Sequence, residues 1–216
     1  QSYRPISEAK RQKIREQLHC TTDDFVIAAV GRLSSEKGHD ILLKALSLLD
    51  RPEVVLWLIG DGALRNELEG LSERIGGVTR IRFLGMRDDV PDLLGAAEVM
   101  ALPSRYESQG LVFMEAMASG VPVIGPDVGG VPEIIHNEAT GLLIPPEDPA
   151  ALCQAIEKLL SNPSFRQQIA QKASQLAKAE FGLERMLADL QQLYQTRSIS
   201  IENKVTRESQ SRNLTP

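Results

Sequence analysis

The sequence predicts an α/β fold: an open parallel sheet with helices on both faces. Three observations predict it. Short apolar runs alternate with stretches of helical period along the chain. The runs Phe25–Val30 and Val54–Ile59 are apolar throughout, as strands covered on both faces require. Each run passes into a polar or glycine-bearing loop before the next helical stretch, and strand–loop–helix units in series build a parallel sheet.

Residues 7–18 read as a first helix, capped by Ser7 and carrying Ile14 and Leu18 four apart. Thr21–Asp24 is a turn into the strand 25–30. The polar loop Gly31–Gly38 follows, and then Ile41, Leu42, Ala45, Leu46 and Leu49 mark a helix. The strand 54–59, the loop Gly60-Asp61-Gly62 and the stripe Leu64, Leu68, Leu71 and Ile75 repeat the unit. A strand over 81–84, a loop over 85–89 and a short helix through Leu93 and Leu94 repeat it again. Residues 99–102 read as a strand, 103–109 as a long loop, and a helix starts at Gly110. Strands are expected at 121–124 and 141–144. Asp148 caps a helix with Pro149 at its first position, and later helices cover about residues 163–179 and 183–194. Residues 197–216 are polar without an apolar period and are expected to be a disordered tail after a domain over 1–196.

A chain of 216 residues suits one such domain, and its length supplies a core without staples. Net charge is −5 and no basic stripe carries interleaved aromatics, which argues against nucleic acid as a partner. Cys20 and Cys153 lie far apart without metal-ligand spacing. They read as free thiols in a reducing compartment, the cytoplasm. No apolar run reaches the roughly 18 residues of a membrane span, and no signal peptide is evident. The chain begins with Gln1 and reads as a fragment or a processed product.

Open parallel sheets bind ligands outside the carboxyl ends of their strands. The unusual chemistry falls in the loops on that edge. Gly31-Arg32 and Lys37-Gly38 bound one loop there, with an arginine fork and a lysine point charge suited to phosphate. Solvated surface cations are the alternative, and the position favours anion binding. The loop is not a Walker A sequence. Glu107 and Glu115 are separated by seven residues, with Gly110 between them at the expected helix start. A helix N-terminus offers unpaired N–H groups and favours a diphosphate. Glu115, one to two turns on, is placed to accept from ribose hydroxyls. Glu107, in the loop, is placed to meet a sugar beyond the phosphates.

Gly60-Asp61-Gly62 reads either as a tight turn or as a ligand-facing loop. Gly85-Met86-Arg87 reads either as an exposed turn or as the wall of a base pocket formed by backbone. Gly129–Glu133 reads as a turn into a short helix, with Glu133 a helix-start carboxylate. Trp57 belongs to the core. His19, His39 and His136 show no metal spacing and none is assigned to catalysis; His39 suits a helix start.

Taken together these residues resemble the retaining glycosyltransferases of family 4, in the donor-binding half of the GT-B fold. The matching pieces are Gly31–Gly38, Ile59–Gly62, Phe83–Gly85, Leu102–Ser104, Glu107–Pro122, Val128–Glu133 and Thr140–Ile144. The specific signal is the glutamate pair embedded with Ala-Met-Ala-Ser-Gly-Val-Pro. The resemblance covers about residues 3–195 and implies a Rossmann-like domain that binds a nucleoside-diphosphate sugar as donor substrate, with no cofactor and no metal. It implies that Arg32 and Lys37 neutralise the diphosphate and that Glu115 holds the ribose. Glu107 and the amides of Gly110, Leu111 and Val112 hold the sugar and phosphates. Gly31, Met86, Arg87 and Gln109 complete the expected contacts. Many members have Phe-Gly where this chain has Gln109-Gly110, which bears on sugar recognition. The family's N-terminal, acceptor-binding domain is absent from this sequence, and any membrane association belongs to that domain. The implied reaction is sugar transfer to an acceptor hydroxyl, with the fragment inactive alone. The rivals are a binding module without catalysis and, more remotely, a sugar-nucleotide epimerase.

Overall fold

The computed structural model describes residues 3–75, 78–182 and 185–194. The chain divides into two compact units, Gln1–Ala177 and Lys178–Pro216. In the first, the helix α1 (Glu8–Gln17) leads to β1 (Phe25–Val30), and a 3-10 turn over Ser35–Lys37 leads to α2 (His39–Ser47). Then come β2 (Val54–Ile59), α3 (Arg65–Ile75), β3 (Arg80–Gly85) and α4 (Val90–Ala96). The strand β4 (Val99–Ala101), α5 (Leu111–Ala118), β5 (Val123–Pro126) and α6 (Val131–Ile134) follow. The last elements are β6 (Leu142–Ile144), α7 (Pro149–Ser161) and α8 (Pro163–Glu180), which runs into the second unit. In that second unit residues 185–194 are helical, and Arg185 pairs with Asp189 one turn on, at 2.9 Å. The tail expected over 197–216 lies outside the described residues.

The six strands are parallel, in the order β3-β2-β1-β4-β5-β6. This is the doubly wound order, with a switch point between β1 and β4. Successive side chains of a strand face opposite sides, and the core divides accordingly. Phe25, Ile27, Ala29, Leu56 and Leu58 pack with residues of α2, α3 and α7. Val26, Ala28, Val55, Trp57 and Ile59 pack with residues of α1, α4, α5 and α6. Trp57 is fully buried, as expected.

Local chemistry explains the element ends. Ser7 accepts from the Lys10 amide (3.3 Å) and Asp148 from the Ala151 amide (2.9 Å), so both predicted caps are present. The predicted strand over 121–124 is displaced: β5 starts at Val123 because Pro122 has no N–H for the ladder. Both cysteines are free.

At the amino edge of the sheet, Glu98 gathers a polar cluster. Its carboxylate accepts from the Val26 amide (2.7 Å), from Arg15 (2.7 Å) and from Arg11. Arg15 is 6% exposed and also donates to the Asp24 carbonyl. Removing one partner of a buried pair strands the other charge. Glu98→Ala is therefore expected to lower stability by about 3 kcal/mol in urea unfolding. Combining it with Arg15→Met should cost less than the sum of the two single changes. Additive losses would show that the two side chains are not coupled.

Candidate functional site

The switch point sets the site. The connection after β1 enters α2 on one face of the sheet, and that after β4 enters α5 on the other. The two loops therefore splay apart and leave a crevice at the carboxyl edge. A cavity of about 370 Å³ is lined there by Gly31, Lys37, Glu107, Gln109, Gly110, Leu111, Val112 and Glu115. A second, of about 310 Å³, is lined by Gly31, Arg32, Gly60, Asp61, Met86 and Arg87. The two share Val30 and Gly31. Gly31, Arg32, Lys37, Met86, Arg87, Glu107, Gln109, Gly110, Leu111, Val112 and Glu115 each line one or the other, whereas Gly38, Gly62 and Gly85 line neither.

Lys37 and Glu107 meet directly. The ammonium donates to Glu107 Oε2 at 2.7 Å, although the two residues stand 70 positions apart. Both side chains are largely buried, so this is a sheltered ion pair. The fully buried Ser104 adds a hydroxyl hydrogen bond to the same oxygen at 3.2 Å. The backbone under Glu107 rests on Gly129 and Gly130. The Gly130 amide donates to the Glu107 carbonyl at 3.2 Å. A Cβ on Gly129, at φ +51°, would sit 2.0 Å from that carbonyl oxygen. The sequence reads Gly129-Gly130 only as a turn; its glycines also let two backbones touch.

Arg32 is exposed and carries no ion pair among the described residues. It lines the smaller cavity, and its charge also acts on Glu36. Behind it His39, the first residue of α2, is 1% exposed. Neither of its ring nitrogens has a hydrogen bond of full geometry, although the Arg32 backbone nearby favours the protonated ring. Burial pushes its pKa down to about 4, with Lys37 adding to the shift.

Gly110 caps α5 in the left-handed conformation, without a side-chain hydrogen bond, and no acidic residue occupies the first turn. The leading amides of α5 thus face the larger cavity without a side-chain cap. Glu115, one turn in, is half-buried, and burial raises its pKa. The neighbouring Tyr3 hydroxyl pulls the other way. Tyr3 in turn is pushed up to about 12, first by burial and then by the Glu115 charge. Sequence reasoning missed Tyr3, Ser104 and the second role of Gly129-Gly130. No spacing announces them, because each meets the site through the fold.

Met86 is 80% exposed, and the Arg87 guanidinium is committed to Asp89 through bonds of 2.8 and 2.7 Å. What these two offer the smaller cavity is thus backbone and the Met86 side chain. Asp61 accepts from the Gly62 amide (2.7 Å), so Gly60–Gly62 is both a tight turn and a cavity wall. Among the described residues no group of three or more His, Cys, Asp or Glu could hold a metal ion. Nor is any helix long and apolar enough to cross a membrane.

Comparison with known proteins gives a consistent picture. The family described as Glycosyl transferases group 1 matches residues 10–176. An uncharacterized glycosyltransferase of Methanocaldococcus jannaschii is 34% identical over 171 residues, 78% of this chain and 44% of that protein. The alpha-D-kanosaminyltransferase of Streptomyces kanamyceticus is 32% identical over 181 residues, 82% of this chain and 47% of that protein. An Anabaena protein, solved in complex with UDP-glucose, superimposes with a TM-score of 0.82 at 31% identity. That match covers 91% of this chain and 54% of the other. The chain spans about half the length of the curated relatives it matches. Its sheet and helices are those of a GT-B Rossmann-like domain.

The buried His39 makes stability depend on pH. Its pKa is about 4 when folded against an ordinary 6.5. The unfolded chain therefore binds more protons between those values, and stability falls as pH drops through that window. The loss reaches about 3 kcal/mol at most. His39→Leu should flatten this part of the profile in urea unfolding at pH 7, 6, 5 and 4. Parallel profiles for the two proteins would mean that His39 does not stay neutral in the folded chain.

Proposed function

The chain belongs to the group 1 glycosyl transferases, and on that premise we propose that it is the donor-binding domain of a retaining, family 4 enzyme. The whole enzyme moves a hexose from a nucleoside-diphosphate sugar to an acceptor hydroxyl. The acceptor is bound by an N-terminal domain outside this sequence. The observation that carries the reading is the crevice itself. It brings together an exposed arginine, a lysine, a helix N-terminus without a side-chain cap and two carboxylates.

Each group has a part that follows from its chemistry. The diphosphate lies against the leading amides of α5, where the helix dipole favours negative charge. Arg32 and Lys37 flank it. A lysine has three N–H donors, so Lys37 can keep its bond to Glu107 and still reach a phosphate oxygen. As the bond from the sugar's anomeric carbon to the diphosphate breaks, charge builds on the phosphate oxygens. Fixed cations and amides then stabilise the leaving group without reorganising. Glu115 accepts from the ribose hydroxyls, and Glu107 from the hydroxyls of the transferred sugar. The smaller cavity, walled by Met86 and the Arg87 backbone, takes the base. The two free cysteines fit a cytoplasmic enzyme.

For the isolated chain, which spans about half of its relatives' length, the proposal expects donor binding without turnover. Measurable sugar transfer by this chain alone would overturn that part. Calorimetric titration with UDP, GDP and ADP tests the rest. One of the three should bind at micromolar to millimolar concentration. Arg32→Ala should weaken that diphosphate about tenfold, the loss of one charge-assisted hydrogen bond, and change the matching nucleoside less than twofold. If none binds at millimolar concentration, the donor-site reading is wrong.

A further inference from the structure

Arg105 lies in the loop between β4 and α5, two residues before Glu107. Its guanidinium makes five hydrogen bonds, one for each of its five N–H groups. Nη1 donates to the Ser35 carbonyl and to Asp40 Oδ1, both at 2.8 Å. Nη2 donates to Asp40 Oδ2 at 2.9 Å and to Glu147 Oε2 at 3.3 Å. Nε donates to Glu147 Oε1 at 2.5 Å. The Arg105 amide adds a bond to the Glu36 carbonyl at 2.7 Å. One residue thus ties the β4–α5 loop to the 3-10 turn that contains Lys37, to the first turn of α2, and to the loop between β6 and α7.

We propose that Arg105 is the positioning residue that sets the distance between the two halves of the donor site. The inference rests on the donor reading above. Its guanidinium has no N–H left for a ligand, so it acts through Lys37 and Glu107. Lys37 is held from both sides. The carbonyls of Ser35 and Glu36 are pinned to Arg105. On the other side, a Cβ on Gly38, at φ +65°, would lie 2.0 Å from the Pro103 carbonyl oxygen, so the two loops touch there. Glu107 follows Arg105 on the same loop. The 2.7 Å pair between Lys37 and Glu107 therefore closes a ring whose opposite side is the Arg105 clamp.

The partners are committed to the clamp as well. The hydrogen bonds from Arg105 hold the Asp40 carboxyl far below its ordinary range, outweighing its burial, and Lys44 helps. Glu147 adopts φ +58°, a left-handed conformation unusual for glutamate, and reaches Arg105 from there. A lysine in place of Arg105 keeps the charge but loses the planar fork that spans two carboxylates at once.

The test uses Arg105→Ala and Arg105→Lys. Amide hydrogen exchange in the ligand-free chain reads the clamp; calorimetry with UDP, GDP and ADP, and with the matching nucleosides, reads the site. In Arg105→Ala the amides of Lys37 and Gly38 should exchange at least tenfold faster, with β1 and β2 unchanged. The affinity for the bound diphosphate should fall at least fivefold and that for the nucleoside less than twofold. Arg105→Lys should lie between. Should Arg105→Ala fail to fold, Glu147→Gln and Asp40→Asn each remove one partner and should give smaller changes of the same kind. Unchanged exchange at Lys37 and Gly38 would overturn the clamp. So would diphosphate affinity that stays within twofold of the unaltered chain. If the unaltered chain binds no diphosphate while Arg105→Ala still loosens Lys37 and Gly38, the donor reading falls and the clamp between the loops stands.

Discussion

The reversal of strand order between β1 and β4 is the constraint on which the rest of the structure depends. Two neighbouring parallel strands send their following helices to opposite faces of the sheet, so their loops cannot lie together. The crevice is a consequence of connectivity and exists whatever side chains line it. What the side chains decide is whether the crevice stays apart, closes, or is held at one width. Here an ion pair and an arginine bridge it, and backbone contacts at Gly38 and Gly129 fix the loops against each other. The scaffold supplies the gap and the loop chemistry sets its dimension.

The two edges of the sheet use charge differently. At the amino edge, Glu98 and Asp24 are shared among Arg11, Arg15, Arg80 and backbone amides, so charge is consumed internally. At the carboxyl edge Lys37, Arg87 and Arg105 are paired as well, but among the described residues Arg32 makes no ion pair and α5 begins without a side-chain cap. A cation without an ion pair among the described residues and a helix start without a side-chain cap both line the crevice. Nothing in the packing of the core needs that arrangement, which is why the crevice and not another cavity carries the functional reading.

Much of this was legible in the sequence, and the boundary of legibility has a physical cause. Strand and helix positions follow from apolar periods that each segment carries itself, as with Phe25–Val30 and the stripe from Ile41 to Leu49. The site loops follow from one rule about strand ends, so Gly31, Arg32, Lys37 and the two glutamates could be named without knowing the strand order. What could not be read are the meetings. Lys37 with Glu107, Arg105 with Asp40 and Glu147, and Tyr3 with Glu115 join distant segments, and only the order of strands brings them together. On sequence alone Arg105 is one polar residue of a long loop, and Gly129-Gly130 is a turn. His39 begins a helix as its position predicts, but its full burial depends on packing that no local pattern records.

The state of the two glutamates bears on what the site does. A carboxylate that shuttles protons must exchange them freely near neutral pH, with few fixed partners. Glu107 is tied to an ammonium and a hydroxyl. Glu115 keeps a Tyr3 hydroxyl whose own proton is held more tightly than usual. Both are thus oriented acceptors with lone pairs to spare, since an ionised carboxylate has about four acceptor sites. Oriented acceptors at two ends of one crevice, with cations and helix amides between them, suit a long ligand carrying hydroxyls at each end and negative charge in the middle. That outline fits the proposed donor, a nucleoside-diphosphate sugar; in that proposal the glutamates grip the ligand and the positive groups serve the bond that breaks.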